Sequence, residues 1–241
     1  MVCKCKLADF NVQFELDYER TANYLSDFKK EFDVPDLKIK IPPEIFELER
    51  KNAFEECKSN FHNKTLEITA AFRVLAEKLP FHNSAVFHSC AFKADGKGIA
   101  LTARSGTGKT THMMLWKEML GEKFNIVNGD KPIIRLYDDG LYMYGSPWAG
   151  KENLYANIKA RLTDICLISR SETNCVEKLS KQEGIDILMQ QIYMPYDISA
   201  RLKTLELITK IVEKVNFWQI NCNMEPEAAE VAYNTIFGKN Q

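Results

Sequence analysis

The sequence predicts an α/β protein: a mixed sheet with flanking helices and a phosphate loop, preceded by a small α+β subregion. Three observations carry this. Short apolar runs alternate with stretches of helical periodicity from about residue 64 onward. Turn signals such as Asp95-Gly96 and Asp138-Asp139-Gly140 join some apolar runs directly, so hairpins interrupt the strand–helix alternation. A glycine-rich segment ending in Lys-Thr, residues 103–111, sits between an apolar run and an amphipathic one.

The elements follow in order. Val12, Phe14 and Leu16 alternate with polar residues, which predicts a strand, and Tyr24, Leu25 and Phe28 stand at helical spacing. Pro35, Pro42 and Pro43 make the first 60 residues read as loop-rich with short elements, so 1–63 is expected to pack on a main domain spanning 64–241. Residues 64–79 place Leu66, Ala70, Val74 and Leu75 on one helical face, ending at Pro80. Strands are predicted at 85–92 and 98–102, then a helix from Thr110 that stops at Gly121. Further strands are expected at 124–127, 133–136, 141–144 and 165–169. Helices are expected at 184–191 and 199–215, a last strand at 217–220, and a last helix from Pro226 to Gly238.

Composition narrows the function classes. Thirty-two basic residues against 33 acidic ones give a net charge of −1, so no bulk basic field exists for nucleic acid or an anionic membrane. No apolar run reaches the length of a spanning helix, and MVCKCKLADF lacks the apolar core of a secretory signal. Seven scattered cysteines read as reduced thiols of a cytoplasmic protein. Cys3 and Cys5 read as strand residues, and no structural metal is expected.

The chemistry concentrates in a few segments. Residues 103–111, ARSGTGKTT, follow the Walker A pattern with Ala103 in place of the first glycine. Ser105, Gly106, Thr107 and Gly108 form the turn whose backbone N–H groups face an anion. Lys109 reaches the terminal phosphates, Thr110 offers a hydroxyl to Mg²⁺, and Thr111 lies at the helix start with its free N–H groups. An apolar strand then runs into Asn128-Gly129-Asp130, which suits Asp130 to Mg²⁺ or its bound water. Lys131 and Arg135 lie just beyond, suited either to phosphate or to a solvated strand face. His88 lies on the preceding predicted strand, as a packed histidine or a site residue. Residues 145–153, GSPWAGKEN, form a turn-rich loop ending in Lys151, Glu152 and Asn153, side chains suited to phosphate or a polar substrate, or to an exposed turn.

From residue 85 onward the chain resembles the kinase domain of HPr kinase/phosphorylase, whose P-loop fold is shared with ATP-dependent phosphoenolpyruvate carboxykinases. SGTGKTT at 105–111, HSCAF at 88–92 and VNGDKP at 127–132 carry the resemblance. GSPWAGKEN, LMQQIYMP at 188–195 and NCNMEPEAA at 221–229 look like segments of a small branch of HPr kinase-like proteins in Firmicutes. The resemblance implies Mg²⁺- and ATP-dependent transfer of a phosphoryl group to a hydroxyl, on a serine-type protein or peptide or on a small molecule. It implies catalytic roles for Asp130, His88, Lys109 and Lys151, and metal binding by Thr110 and Asp130. It also allows a homo-oligomer. Two adjacent aspartates in that family correspond to Gly129-Asp130 here. The general base then falls to Asp130, His88 or Glu152, or transfer rests on positioning alone. The family's signature segment and N-terminal region are not matched, so HPr itself is not the expected acceptor.

The other class of reading is a nucleotide-binding regulatory module without turnover. A carboxykinase-like lyase is disfavoured by the absence of an arginine-rich carboxylate site, and a GTPase by the absence of an Asn-Lys-x-Asp motif. Arg201, beside a predicted helix start, is a further candidate for the site.

Overall fold

The computed structural model describes residues 1–58 and 60–238. The chain opens with β1 (Val2–Leu7) and β2 (Phe10–Glu15), an antiparallel hairpin. Ala8 and Asp9 form its two-residue turn at φ 51° and 64°, left-handed values that match the twist of the flanking strands. A short α1 (Glu19–Tyr24) leads to β3 (Leu37–Lys40), which joins β2 in parallel. Then come α2 (Pro43–Cys57), with proline at its first position, and α3 (Asn63–Lys78). An ion pair between Glu49 and Arg73 ties the two helices together.

The remaining elements are β4 (Ser84–Val86), β5 (Cys90–Ala94), β6 (Lys97–Thr102), α4 (Lys109–Leu120), β7 (Phe124–Asn128), β8 (Ile133–Tyr137) and β9 (Gly140–Tyr144). They continue as β10 (Lys159–Arg170), β11 (Cys175–Lys178), α5 (Lys181–Gln191), α6 (Ile198–Ile211), β12 (Asn216–Cys222) and α7 (Glu227–Ile236). The central strands run β7-β5-β6-β10-β12-β11. β6, β10 and β12 are mutually parallel along this row, and β5 is antiparallel to both β6 and β7. The first residues of the long β10 also pair antiparallel with β9, which continues into β8 and β4. One strand thus serves two pairings, and the sheet curls about it.

This order places the site. The start of β5 and the ends of β6, β7, β10 and β12 all fall on one edge of the sheet, so the segments attached there converge. β6 is buried on both faces, as a central parallel strand should be. Ile99 and Leu101 face Met113 and Trp116 of α4 and Ala229 and Ala232 of α7. Ala100 faces the opposite layer, with Leu188 of α5 and Leu207 and Ile211 of α6. A third cluster joins Phe14 and Ile39 of the first sheet, Leu75 of α3, Ile133 and Tyr144 of the larger sheet, and Trp148 of the loop after β9.

The structure differs from the sequence reading at several places: β3 and β11 are additional strands, β10 begins at Lys159 and not at 165, α6 ends at Ile211 and not at 215, and three further differences concern β4–β5, α2 and α5. The strand predicted at 85–92 is two strands. β4 pairs with β8 while β5 pairs with β6 and β7, and the chain crosses between them at residues 87–89. His88 therefore lies in the break, its N–H donating to the Gln191 carbonyl at 2.9 Å. The region expected to be loop-rich holds the 15-residue α2. The helix predicted from Gly184 starts at Lys181, and Gly184 lies inside it because the Phe217 ring leaves no room: an added Cβ would stand 2.6 Å from that ring. Among the described residues no helix is long and apolar enough to cross a membrane.

Candidate functional site

The phosphate-loop pattern forms a tight turn between β6 and α4. Gly106 and Gly108 adopt φ 76° and 119°, the left-handed region glycine enters without strain. Nothing stands within 4 Å of where a Cβ would project from either, so the concavity is open. Thr107 closes the turn by donating its N–H to the Arg104 carbonyl at 3.2 Å. Gly108 caps α4, so the free N–H groups of its first turn, at Lys109, Thr110 and Thr111, point toward the loop. Ser105 and Thr111 are exposed.

Lys109 folds back beneath this turn and is only 9 % exposed. Its ammonium lies 3.4 Å from the Ala103 carbonyl and 3.3 Å from His88 Nε2, and among the described residues it has no carboxylate partner. A buried ammonium without a counter-ion is costly. The fold holds it where an anion in the turn would neutralise it.

Asp130 arrives from the end of β7. Asn128 is fully buried, and its Oδ1 accepts the N–H groups of Asp130 and Lys131 at 2.8 and 2.7 Å, an Asx turn that aims the next side chains. Asp130 Oδ1 is 3.3 Å from His88 Nε2, and the other oxygen pairs with the Lys131 ammonium. Burial raises the Asp130 carboxyl, but hydrogen bonds from His88 and Lys131 outweigh it and bring the group down to about 2. His88 Nε2 thus stands at 3.3 Å from both Lys109 and Asp130. A single ring nitrogen either accepts from the ammonium or donates to the carboxylate, never both, so the tautomer of His88 decides which it serves.

Cys90 closes the same corner. Its thiol donates to the Gly129 carbonyl at 3.0 Å and lies 3.8 Å from the Thr110 hydroxyl. Burial pushes this thiol up to about 11, so it acts as a neutral donor. The Glu152 carboxylate contributes to that rise, which puts its charge within reach of the corner.

The loop 145–153 passes over Asp130. Gly150 is close enough that an added Cβ would stand 3.0 Å from the Asp130 Cβ. The loop is anchored from below: Trp148 Nε1 donates to the Ile68 carbonyl at 3.2 Å, and the Tyr24 hydroxyl donates to the Pro147 carbonyl at 2.7 Å. Burial raises the Tyr24 hydroxyl to about 12, with the charges of Tyr155 and Asp130 adding to the shift. Lys151 and Glu152 are exposed, and Lys151 makes no hydrogen bond or ion pair among the described residues. The lysine that the structure brings to Asp130 is Lys131.

Position 129 is crowded. An added Cβ there would meet the Leu154 carbonyl at 3.2 Å and the Ala149 carbonyl at 3.4 Å, while the Gly129 N–H donates to that same Leu154 oxygen at 2.7 Å. A second carboxylate beside Asp130 needs the backbone to shift.

Two residues at this edge were not singled out from the sequence. Arg170, the last residue of β10, donates to the Gly106 and Thr107 carbonyls at 2.5 and 3.1 Å and braces the glycine turn from outside. The available signal was its place at the carboxyl end of an apolar strand. His112 is buried on α4, and burial pushes its imidazole down to about 4. Arg201 instead donates to the Pro195 carbonyl beside its own helix start. Arg135 stacks on Phe10 and donates to the Ala8 carbonyl, in the N-terminal hairpin.

Among the described residues no three His, Cys, Asp or Glu side chains gather as metal ligands. Thr110 and Asp130 are a hydroxyl and a carboxylate at this edge that could hold a metal. That suits Mg²⁺, which is held by one or two protein oxygens with phosphates and water completing its shell. The open turn and the unpaired Lys109 likewise fit a nucleotide's phosphates.

No family model and no curated protein matches the chain. Among solved structures, the Hpr(Ser) kinase/phosphatase from Coxiella burnetii is similar at 10 % identity and a TM-score of 0.38, over 64 % of this chain and 92 % of that one.

Proposed function

We propose that the chain is a Mg²⁺- and ATP-dependent phosphotransferase that moves a phosphoryl group to a hydroxyl of a serine-type protein, a peptide or a small molecule. The observation that carries this reading is the convergence, on one sheet edge, of an open glycine turn, a buried unpaired Lys109 and the Asp130–His88 pair. The loop amides and Lys109 hold the phosphates, and Thr110 and Asp130 hold the metal, which neutralises charge on the transferred group. Asp130, paired with Lys131 and holding the metal, orients and binds, while the acceptor's proton goes to His88 Nε2 in the tautomer that leaves this nitrogen without a hydrogen. Lys131 steadies the carboxylate, and the loop 145–153, with Lys151 and Glu152, borders the acceptor's side. The protein works in the cytoplasm, without nucleic acid or membrane partners, alone or as a homo-oligomer.

The test is transfer from γ-labelled ATP with Mg²⁺, with and without a desalted cell extract. Lys109→Ala should abolish transfer and leave the melting temperature within a few degrees; full activity in that variant would sink the assignment. One observation favours a second reading, a regulatory module that binds nucleotide without turnover: position 129 has little room for a second carboxylate. Saturable ATP binding with no labelled product under all conditions would select it.

A further inference from the structure

Resting on the phosphate-loop reading above, the geometry points to a pocket for the donor's nucleobase between the start of α4 and the carboxyl ends of β10 and β12, with His112 meeting the base's polar edge and Ile168 and Met224 as its apolar walls.

The first argument is direction. Lys109 and Thr110 turn toward the Asp130 corner, 3.3 Å from His88 and 3.8 Å from Cys90. The next two residues of the helix, at roughly 100° per residue, turn away from it. Thr111 and His112 line a cleft of about 340 Å³ together with Ile168, Arg170, Cys222 and Met224. A phosphate chain cradled in the turn, with its reacting end at Asp130, therefore has its other end at this cleft.

The second argument is an unpartnered group. His112 is 3 % exposed, and among the described residues neither of its ring nitrogens has a hydrogen-bond partner. Leaving a buried polar group unpaired costs about 1–3 kcal/mol, and such groups are rare enough to require a reason. A neutral imidazole offers one donor and one acceptor, the same two functions found along the edge of a nucleobase.

The third argument is the walls. Ile168 is buried at the floor, whereas Met224 stands 75 % exposed on the rim, a flexible thioether suited to covering a flat ring. The guanidinium of Arg170, fixed by its bonds to the Gly106 and Thr107 carbonyls, adds a planar cation able to stack on a heterocycle.

The experiment measures binding of Mg²⁺ complexes of ATP, GTP and inorganic tripolyphosphate by calorimetry, to wild type, His112→Leu, Met224→Ala and Lys109→Ala. Wild type should bind the preferred nucleotide at least about tenfold more tightly than tripolyphosphate. That gap should fall below about threefold in His112→Leu and shrink in Met224→Ala, with tripolyphosphate affinity unchanged in both. His112→Leu should melt no lower than wild type, because it removes two unpaired buried nitrogens; Met224 is exposed, so its variant tests the pocket independently of folding. A gap that shrinks in either folded variant supports the pocket. Equal affinity for nucleotide and tripolyphosphate in wild type, or a gap that survives both variants, overturns the pocket and leaves the phosphate-loop reading standing. No binding of any of the three, or no loss of binding in Lys109→Ala, overturns the phosphate-loop reading and the pocket with it.

Discussion

Asp9 and Asp130 are both carboxylates with a lysine against them, and both titrate below the ordinary aspartate range. Their surroundings differ in charge balance. Asp9 sits in the turn of the N-terminal hairpin, where its Oδ2 accepts from Tyr137, Tyr144 and Lys159 at 3.0, 2.7 and 3.0 Å. Lys159 in turn lies 4.6, 4.5 and 5.4 Å from the ring centres of Tyr137, Tyr142 and Tyr144. One anion meets one cation within an aromatic surround, so the Asp9 carboxylate is itself satisfied. Burial raises Asp9, and its three donors more than offset it. At the sheet edge, Asp130 is already paired with Lys131, and Lys109 beside it has no acidic partner. Lys109 there has no ion-pair partner among the described residues and stands beside an open turn. The difference separates a cluster that fastens two layers together from one whose lysine is left without an ion-pair partner.

The largest effect that separates the two clusters is on transfer. Asp130→Asn should lower it by on the order of 10²–10³, the scale of losing one group that stabilises transition-state charge. Asp9→Asn should leave transfer per folded molecule unchanged in the same assay. The next effect is on acid stability of the metal-free protein. Asp130 titrates at about 2 when folded against 3.8 ordinarily, so the unfolded chain takes up the proton first as pH falls. The stability this carboxylate supplies is present above about pH 4 and is lost on the way down to about 2, worth roughly 2 kcal/mol. Denaturant midpoints measured across that window should fall more steeply for wild type than for Asp130→Asn. Asp9 acts in the same direction, so Asp9→Asn should flatten the same curve by less. At neutral pH, Asp9→Asn should cost about 1 kcal/mol in urea unfolding, discounted because the site is partly open to solvent.

The smallest expected effect tests the contact between the regions. Tyr24→Phe removes the hydrogen bond from the N-terminal layer to the Pro147 carbonyl. It should cost about 1 kcal/mol or less, seen as a drop of a few-fold in kcat with little change in nucleotide affinity. A fall in nucleotide affinity of the same size would mean that the loop 145–153 borders the donor instead of the acceptor.

What the sequence shows of the site follows from how local each signal is. The turn at 105–108 and the start of α4 are encoded within nine residues, so their geometry is legible from spacing alone. Asp130 is legible because an apolar strand runs into it. The pairing of Asp130 with Lys131, and not with Lys151, depends on the Asx turn at Asn128 and on the path of the loop above it. Arg170 reaches the glycine turn only because β10 lies beside β6, a pairing set by the whole sheet. His88 reads as a strand residue because only His88 and Ser89 interrupt the apolar run from Ala85 to Phe92, with no glycine or proline between; the break comes from a change of strand partners. α2 escaped notice for the opposite reason. Its apolar residues, such as Ile45, Phe46 and Phe54, form only a weak face, and it is held to α3 partly by the Glu49–Arg73 ion pair. Pro43 at its first turn was the signal present.

On the proposed function, a phosphoryl group is transferred at the sheet edge that holds Lys109 and Asp130. The most direct measurement is the initial rate of label transfer from γ-labelled ATP into a cell extract, for wild type, Asp130→Asn and Asp9→Asn at matched folded concentration. The account predicts transfer by wild type and Asp9→Asn at equal rates and near-background transfer by Asp130→Asn. Equal rates in Asp130→Asn and wild type would contradict it.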